Sequence, residues 1–236
     1  MARGHDPQSQ DQGESDVYYS SLLQIKIKKI LQNKKILLPL HKNLFYMKLG
    51  THNSMSYLPP KKWYLYPFRF MAKCQSVDIA EQYKLGARMF DLRIRYDKNG
   101  VPEFRHGSMA FKGNVEDILK YLNSRKARCY IRLLLEVKNT KDLVRQELLF
   151  LDDCKRWEAT YKGLTFFCGR RKFDWKQLYK FKADNIEVIQ KVSSMTGTVL
   201  DDLCPILYAR LYNKKNYREW DSSKWLLLDF IEYALE

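Results

Sequence analysis

The sequence predicts an α/β fold, a distorted TIM-type (β/α)8 barrel in a single domain. About eight apolar runs of strand length follow one another, and helix-length segments separate most of them. The run Cys129–Val137 is apolar almost throughout, as is typical of a parallel strand covered on both faces. A length of 236 residues suits one such barrel, although it is short for the fold, so some helices should be reduced.

Residues 1–16 carry almost no large apolar side chain, so we expect a disordered segment there and assign residues 17–236 to the barrel. The strands of that barrel are expected in short apolar or alternating runs. The predicted strands are Asn43–Leu49, Ala87–Arg95, Val101–His106, Cys129–Val137, Leu164–Cys168, Ile186–Lys191, Ile206–Leu211 and Trp225–Ile231.

Helices are predicted over Ser76–Leu85, with its serine as N-cap, and over Val115–Asn123 and Lys141–Thr160. Gly86 should stop the first of them. The turn sequence Asp97–Gly100 predicts a hairpin between the second and third strands, which departs from a perfect β/α repeat.

Lys and Arg outnumber Asp and Glu by 42 to 27, a net charge of +15 that favours anionic partners such as nucleic acid, anionic lipid or phosphorylated small molecules. The basic residues are scattered, and no RNA-recognition, KH, helix-turn-helix or zinc-finger pattern is present. We therefore expect no nucleic-acid partner.

The five cysteines include no CxxC pair, which argues against a disulfide framework or a cysteine zinc site. No apolar stretch reaches the roughly 18 residues of a membrane span, and no signal peptide is visible. We expect a soluble monomer, peripheral to membranes, either cytoplasmic or secreted in a processed form.

Two of the four histidines, His52 and His106, follow predicted strand ends beside a glycine, and Arg93 lies on the strand between them. Barrel enzymes carry their functional groups at the C-terminal strand ends. A neutral imidazole accepts a proton, a protonated one donates it, and a guanidinium holds phosphoryl oxygens with two parallel hydrogen bonds. The three residues thus predict cleavage of a phosphodiester by an internal hydroxyl. The alternatives are loop histidines with purely structural bonds, or a zinc site, for which no HExxH or CxxC spacing exists.

Three segments carry a resemblance to a known family. Gly50-Thr51-His52-Asn53-Ser54 resembles the GTH[DN]S motif of the phosphatidylinositol-specific phospholipase C X domain. Gln82 through Arg95 (QYKLGARMFDLRIR) resembles its GxRxxDxR motif, and Phe104-Arg105-His106-Gly107 resembles its third motif. Their order and spacing also match, and the resemblance covers residues 44–140 firmly, with the strand pattern extending it to the C-terminus.

The resemblance implies a role for each catalytic residue. His52 is similar to the general base on the inositol 2-hydroxyl, and His106 to the general acid for the diacylglycerol oxygen. Arg93 resembles the guanidinium that binds phosphate in the bacterial, metal-independent enzymes. Asp91 resembles a supporting carboxylate, and Asp229 one that fixes the tautomer of the base.

Substrate contacts are expected at further strand ends. Glu136 and Lys138 resemble substrate-contacting positions, although Lys138 is equally well read as an exposed loop lysine. Tyr208 is expected, by analogy, to stack on the sugar ring. Arg170 begins a basic loop that is read either as an anion clamp or as a solvated surface.

Asn53 departs from the metal-independent pattern, which has Asp at this position. Asn here resembles the calcium-dependent enzymes, where it binds the metal, so Asn53 is assigned to the substrate site with calcium as the alternative. Those enzymes have a carboxylate where this chain has Arg93, and a cation there repels calcium. We therefore expect no cofactor and no metal, with Asn53, Asp91 and Glu136 as the donors should calcium bind.

The resemblance implies a phosphatidylinositol phospholipase C that releases diacylglycerol and inositol 1,2-cyclic phosphate. A non-catalytic phosphoinositide-binding barrel is disfavoured because both histidines and Arg93 are present. A metal-dependent glycerophosphodiester hydrolase would need a carboxylate cluster near the first histidine. Aromatic and basic residues mix in the segment after the first strand, which suits contact with a membrane interface, unless Trp63, Tyr66 and Phe68 pack into the rim of the barrel.

Overall fold

The computed structural model describes residues 48–137, 142–170 and 188–235. The segment predicted to be disordered, residues 1–16, lies outside these ranges. So does most of the predicted first strand, residues 43–47, and the strand found here begins later, at Leu49. Gly50 and Thr51, which lie beyond the predicted end of that strand, are themselves strand residues.

The described residues form one sheet of eight strands. The strands are β1 Leu49–Thr51, β2 Met89–Tyr96, β3 Pro102–His106, β4 Met109–Ala110, β5 Cys129–Leu135, β6 Leu164–Arg170, β7 Val188–Lys191 and β8 Trp225–Leu228. Six of them are parallel neighbours in the order β6-β5-β2-β1-β8-β7, while β3 and β4 form an antiparallel hairpin on the C-terminal part of β2.

This order is that of a TIM-type barrel opened at one seam. Each parallel strand except β6 pairs with the next parallel strand along the chain, and β8 returns to pair with β1. Within the described ranges no ladder joins β6 to β7, so the ring is not closed there. The distorted α/β barrel expected from the sequence is confirmed.

Six α-helices accompany the strands in the described residues. They are α1 Ile79–Lys84, α2 Val115–Asn123, α3 Leu143–Thr160, α4 Val199–Leu203, α5 Pro205–Arg218 and α6 Glu232–Leu235. Short 3-10 helices lie at Trp63–Met71 and Ser193–Met195.

The N-cap residues explain where the first two α-helices begin relative to the predicted starts. The first helix begins at Ile79 and not at Ser76, because the side chain of Asp78 caps it by accepting from the Glu81 amide at 2.8 Å. Gly86, with φ of +101°, follows its end as predicted. The α2 bounds match the prediction, since Asn114 accepts from the Glu116 amide at 2.8 Å.

The predicted strand Ile206–Leu211 is wrong, because this run lies inside helix α5. Pro205 occupies the first turn, where its missing N–H costs nothing and its fixed φ suits a helix. A short apolar run has no period of its own that separates strand from helix, and the lysines that follow continue the helix to Arg218.

The alternation along β2 separates two apolar layers. Phe90, Leu92 and Ile94 join the larger core that surrounds the sheet. Met89 points to the other face, into a smaller cluster inside the barrel with Leu134, Phe167, Trp225 and Leu227. Residues at i and i+2 share a face of a strand, so Asp91 and Arg93 follow Met89 into the interior, toward the C-terminal end.

Gly50 has no room for a side chain in the barrel interior. A Cβ there would lie 2.5 Å from Leu227 Cδ2 and 2.8 Å from the carbonyl oxygen of Met89, which is backbone and cannot move aside. We expect Gly50→Ala to destabilise the protein by about 1–3 kcal/mol through overpacking.

Denaturant titration would measure this change in the free energy of unfolding. Gly197→Ala is the control, because nothing lies within 4 Å of that position and only its φ of +75° opposes a side chain. Its expected cost is about 1 kcal/mol. An equal or smaller loss at Gly50 would contradict the packing argument.

Candidate active site

Five side chains predicted as functional converge at the C-terminal ends of the parallel strands. His52 follows β1, Arg93 lies on β2, and His106 ends β3. Glu136 follows β5, and Asp229 follows β8. Neighbouring strands bring residues together that are up to 177 positions apart in the chain.

His52 and Asp229 form a buried pair. His52 Nδ1 lies 2.7 Å from Asp229 Oδ1, and the two residues are 5% and 1% exposed. The other oxygen of the carboxylate, Oδ2, accepts from the Ser193 amide at 3.2 Å and from its hydroxyl at 3.4 Å. Because the carboxylate accepts the Nδ1 proton, the lone pair of the His52 imidazole lies on Nε2, the atom that a general base would use.

The backbone of His52 is fixed to β8. Its amide donates to the carbonyl of Leu228 at 2.9 Å. The buried side chain of Gln75 donates to the carbonyls of His52 and Leu228 at 3.0 and 2.9 Å. These bonds hold the imidazole in one position relative to Asp229.

Arg93 connects His52 to two carboxylates. Its Nε donates to Asp91 Oδ2 at 3.1 Å, and its Nη1 lies 3.8 Å from Glu136 Oε2. Its Nη2 lies 2.5 Å from His52 Nε2. Burial alone would lower the pKa of Arg93, but Asp91 and Glu136 raise it above its ordinary value, so the guanidinium stays charged.

Asp91 lies fully buried between two guanidinium groups. Burial by itself would raise its pKa, yet Arg93 and Arg132 hold the pKa of this carboxyl well below its ordinary value. Arg132 Nη1 lies 3.5 Å from Asp91 Oδ1, and the amide of Asn53 donates to Oδ2 at 3.0 Å. Asp91 is therefore an anion that holds the Arg93 guanidinium in its orientation.

His106 faces the same site from the hairpin. Its ring is perpendicular to that of His52, with centroids 6.4 Å apart, and its Nδ1 donates to the carbonyl of Ala72 at 2.9 Å. Burial, then the charge of Arg93, lower the pKa of His106 to about 4. The unliganded imidazole is thus neutral at neutral pH, and an anion bound to Arg93 would favour its protonation.

Two further residues frame the site. Glu136 Oε1 accepts from the amide of Gly107 at 3.1 Å, which ties the hairpin to β5. Asn53 is buried with φ of +42°, a left-handed conformation that asparagine tolerates better than most residues. Its Nδ2 atom has no hydrogen-bond partner in the described part of the chain.

None of the remaining predicted substrate-binding residues is confirmed as part of the site. Lys138 lies outside the described residues. Arg170 is the last residue of β6, and its role stays a prediction. Tyr208 does not lie at a strand end as expected, because it belongs to helix α5, where its ring packs 5.0 Å from that of Tyr212.

Three residues of the site were not predicted from the sequence. Arg132 is buried in β5, in register with Asp91 on β2. A charged residue inside an apolar run could have indicated from the sequence that it has a buried partner. Ser193, which donates to Asp229, and Cys74, whose Sγ lies 4.0 Å from His106 Nδ1, carry no such signal.

Comparison with known proteins identifies the fold. No family model matches the chain, and no curated protein matches its sequence. Among solved structures, a variant of the phosphatidylinositol-specific phospholipase C from Staphylococcus aureus matches with a TM-score of 0.54 and 16% identity, over 79% of this chain and 86% of that one. The phosphatidylinositol-specific phospholipase C from Listeria monocytogenes matches with a TM-score of 0.54 and 14% identity, over 81% and 92%.

This chain shares their fold. The identities are too low to carry more than the fold to this protein, so its activity has to be argued from its own site.

Proposed function

We propose that this protein is a phosphatidylinositol-specific phospholipase C that acts without a metal ion. The observation that carries the proposal is one contact, the Arg93 guanidinium 2.5 Å from His52 Nε2 and in reach of both Asp91 and Glu136. This contact supports the proposal because a guanidinium that binds phosphate would lie beside a base that Asp229 orients.

The proposed reaction uses three side chains. His52 Nε2 removes the proton of the inositol 2-hydroxyl, whose oxygen attacks the phosphorus atom. Arg93 binds the phosphoryl oxygens and stabilises the charge that develops on them. His106, protonated once the anionic substrate is bound, gives its proton to the departing diacylglycerol oxygen. The products are diacylglycerol and inositol 1,2-cyclic phosphate.

The position of Arg93 favours a metal-independent reaction over a calcium-dependent one. The oxygens of Asp91 and Glu136, which would bind calcium together with Asn53, already face the guanidinium at 3.1 and 3.8 Å. A fixed positive charge at this point both satisfies the carboxylates and repels a second cation. An arginine does not activate water as a metal can, so cyclic phosphate should accumulate.

The first experiment is to incubate the protein with phosphatidylinositol vesicles, in EDTA or in calcium, and to follow the products by phosphorus NMR. We expect cyclic inositol phosphate at equal rates in both buffers, and a loss of at least about 100-fold in His52→Ala. Activity only in calcium would mean that Asn53, Asp91 and Glu136 bind metal. No cleavage in either buffer would favour a non-catalytic phosphoinositide-binding barrel.

An exposed apolar surface near the site suits contact with the lipid bilayer. In the 3-10 helix, Trp63 is 83% exposed and Phe68 58%, so these rings do not pack into the barrel rim. Lys62 places its ammonium 5.6 Å from the centre of the Tyr64 ring. Mixed aromatic and basic side chains favour the headgroup region. No helix of the described residues has both the length and the apolarity to cross a membrane.

We expect Trp63→Ala and Phe68→Ala to weaken binding to phosphatidylinositol vesicles by about tenfold each, since burying a large apolar side chain contributes about 1.5–3 kcal/mol. Vesicle sedimentation would measure the affinity. Leu148→Ala, which removes an exposed apolar side chain from helix α3, is the matched control and should bind as the wild type does. Equal losses in all three variants would count against a membrane role for the 3-10 helix.

A further inference from the structure

A second arrangement of chemically reactive groups lies on the Nδ1 side of the His52 imidazole. The ligand atoms of His52, Cys74 and Asp229 all lie within 4.8 Å of one another, and all three residues are buried. No other such group of three exists among the described residues. The proposed reaction uses the imidazole of His52 and the carboxylate of Asp229, but the thiol of Cys74 has no role in it.

The backbone holds this thiol in place. The amide of Cys74 donates to Ser56 Oγ at 2.8 Å, and its carbonyl accepts from the amide of Phe230, the residue after Asp229, at 2.6 Å. Cys74 is thus anchored to the same end of β8 that carries the carboxylate. Its position beside the His52–Asp229 pair is fixed on both sides.

Nitrogen, sulfur and carboxylate oxygen together are the ligand set of a thiophilic divalent cation. We propose that His52, Cys74 and Asp229 bind a cation of the zinc and cadmium type, and that its binding inactivates His52 as a base. The inactivation of His52 rests on the proposed function, whereas the cation site itself does not.

The dimensions fit with modest adjustment. Zinc bonds of about 2.0–2.3 Å place tetrahedral ligand atoms about 3.3–3.8 Å apart. The three atoms already lie within 4.8 Å, and His52 Nδ1 and Asp229 Oδ1, now 2.7 Å apart, would have to separate slightly. A water molecule would supply the fourth ligand, since His106 Nδ1, 4.0 Å from Cys74 Sγ, already donates its proton to the carbonyl of Ala72.

The proton balance explains the inactivation. The cation replaces the proton of the Cys74 thiol, which leaves to the buffer, and it takes the lone pair of His52 Nδ1. The Nδ1 proton therefore moves to Nε2, so the imidazole remains neutral but in the opposite tautomer. Nε2 then carries a proton and can no longer accept one from a hydroxyl, and the Nη2 donor of Arg93, now 2.5 Å from Nε2, must move aside.

Cadmium is the probe, because its bond to a thiolate gives an ultraviolet charge-transfer band. We expect one equivalent of cadmium chloride to saturate this band in the full chain, with EDTA reversing it. Cys74→Ser should weaken binding by at least about 100-fold, since a hydroxyl is a poor ligand for a soft cation. Cys204→Ser, at a partly exposed thiol, is the matched control and should leave the titration unchanged.

Nitrogen-15 NMR of the imidazoles supplies the second reading. Cadmium should move the His52 signals from the Nδ1–H to the Nε2–H tautomer, and Cys74→Ser should prevent this while its circular dichroism shows an intact fold. A band that persists in Cys74→Ser, or saturation of the wild type only in large excess, would overturn the site. Binding with no change of tautomer would overturn the inactivation. All of these readings are independent of phospholipase activity, so its absence would reject the proposed function alone.

Discussion

Replacing Asp229 with Asn should lower kcat/KM by about four orders of magnitude while leaving the fold intact. The substitution keeps the shape of the side chain and removes only its charge. The size of the expected loss follows from other enzymes in which the same change fixes the histidine base in the wrong tautomer.

The hydrogen bonds around Asp229 dictate which tautomer results. The amide and hydroxyl of Ser193 both donate to Oδ2, so an asparagine must present its oxygen to Ser193. Its NH2 group then faces His52 Nδ1, where the carboxylate oxygen now lies at 2.7 Å. An N–H donor at this point forces the imidazole proton onto Nε2, and the base is lost.

Rates on phosphatidylinositol vesicles, together with thermal unfolding, would test this expectation. Ser193→Ala is the comparison, because it removes the weaker of the two donors, at 3.4 Å, and retains the amide at 3.2 Å. Its loss should stay below about tenfold. Asp229→Asn with activity within tenfold of the wild type would show that His52 does not act through its Nε2 lone pair.

The sequence located the residues of the candidate site more accurately than the strands and helices that hold them. His52 and His106 stand out because histidine is rare in this chain and because each was predicted at the end of a strand. His52 follows a parallel strand, whereas His106 reaches the site from the antiparallel hairpin. The role of Asp229 beside His52 was assigned only through the family resemblance, since no local pattern links two residues 177 positions apart. Its donor Ser193 is an ordinary loop serine until the fold places it there.

The errors have physical causes. The run Ile206–Leu211 satisfies a strand template as well as a helix template, and only the proline before it and the lysines after it favour the helix. Arg132 was overlooked because its run, apolar almost throughout, was interpreted only as a buried strand. A barrel interior accepts a buried charge when that charge is paired, and Asp91 provides the pair at 3.5 Å.

Arg93→Met should produce the second large effect, a loss of about 10³-fold or more in activity. A guanidinium that binds the phosphoryl oxygens acts mainly on the charged transition state, and removal of such a group costs about 10³–10⁵-fold in other phosphoryl-transfer enzymes. Lysine should not restore the rate, because one ammonium cannot contact Asp91, Glu136 and the phosphate together.

The same substitution, which lowers the rate, should raise the pKa of His106. Burial is the larger cause of its low value of about 4, and the charge of Arg93 is the next. Removing that charge should therefore raise the pKa while leaving it below the ordinary 6.5, because the ring stays buried. NMR titration of the imidazole in the unliganded protein would measure the shift.

Arg95→Met is the matched control, since it removes an equal charge two residues further along the same strand. It should leave both the rate and the His106 pKa close to those of the wild type. In Arg93→Met the acid becomes easier to protonate at neutral pH, yet the rate falls, because the phosphate has lost its cation. Opening of the site to water would also raise the pKa of His106, because burial is the larger cause of its low value, so thermal unfolding of Arg93→Met must match that of the wild type. An unchanged pKa would mean that Arg93 lies too far from His106 to bind the same phosphate.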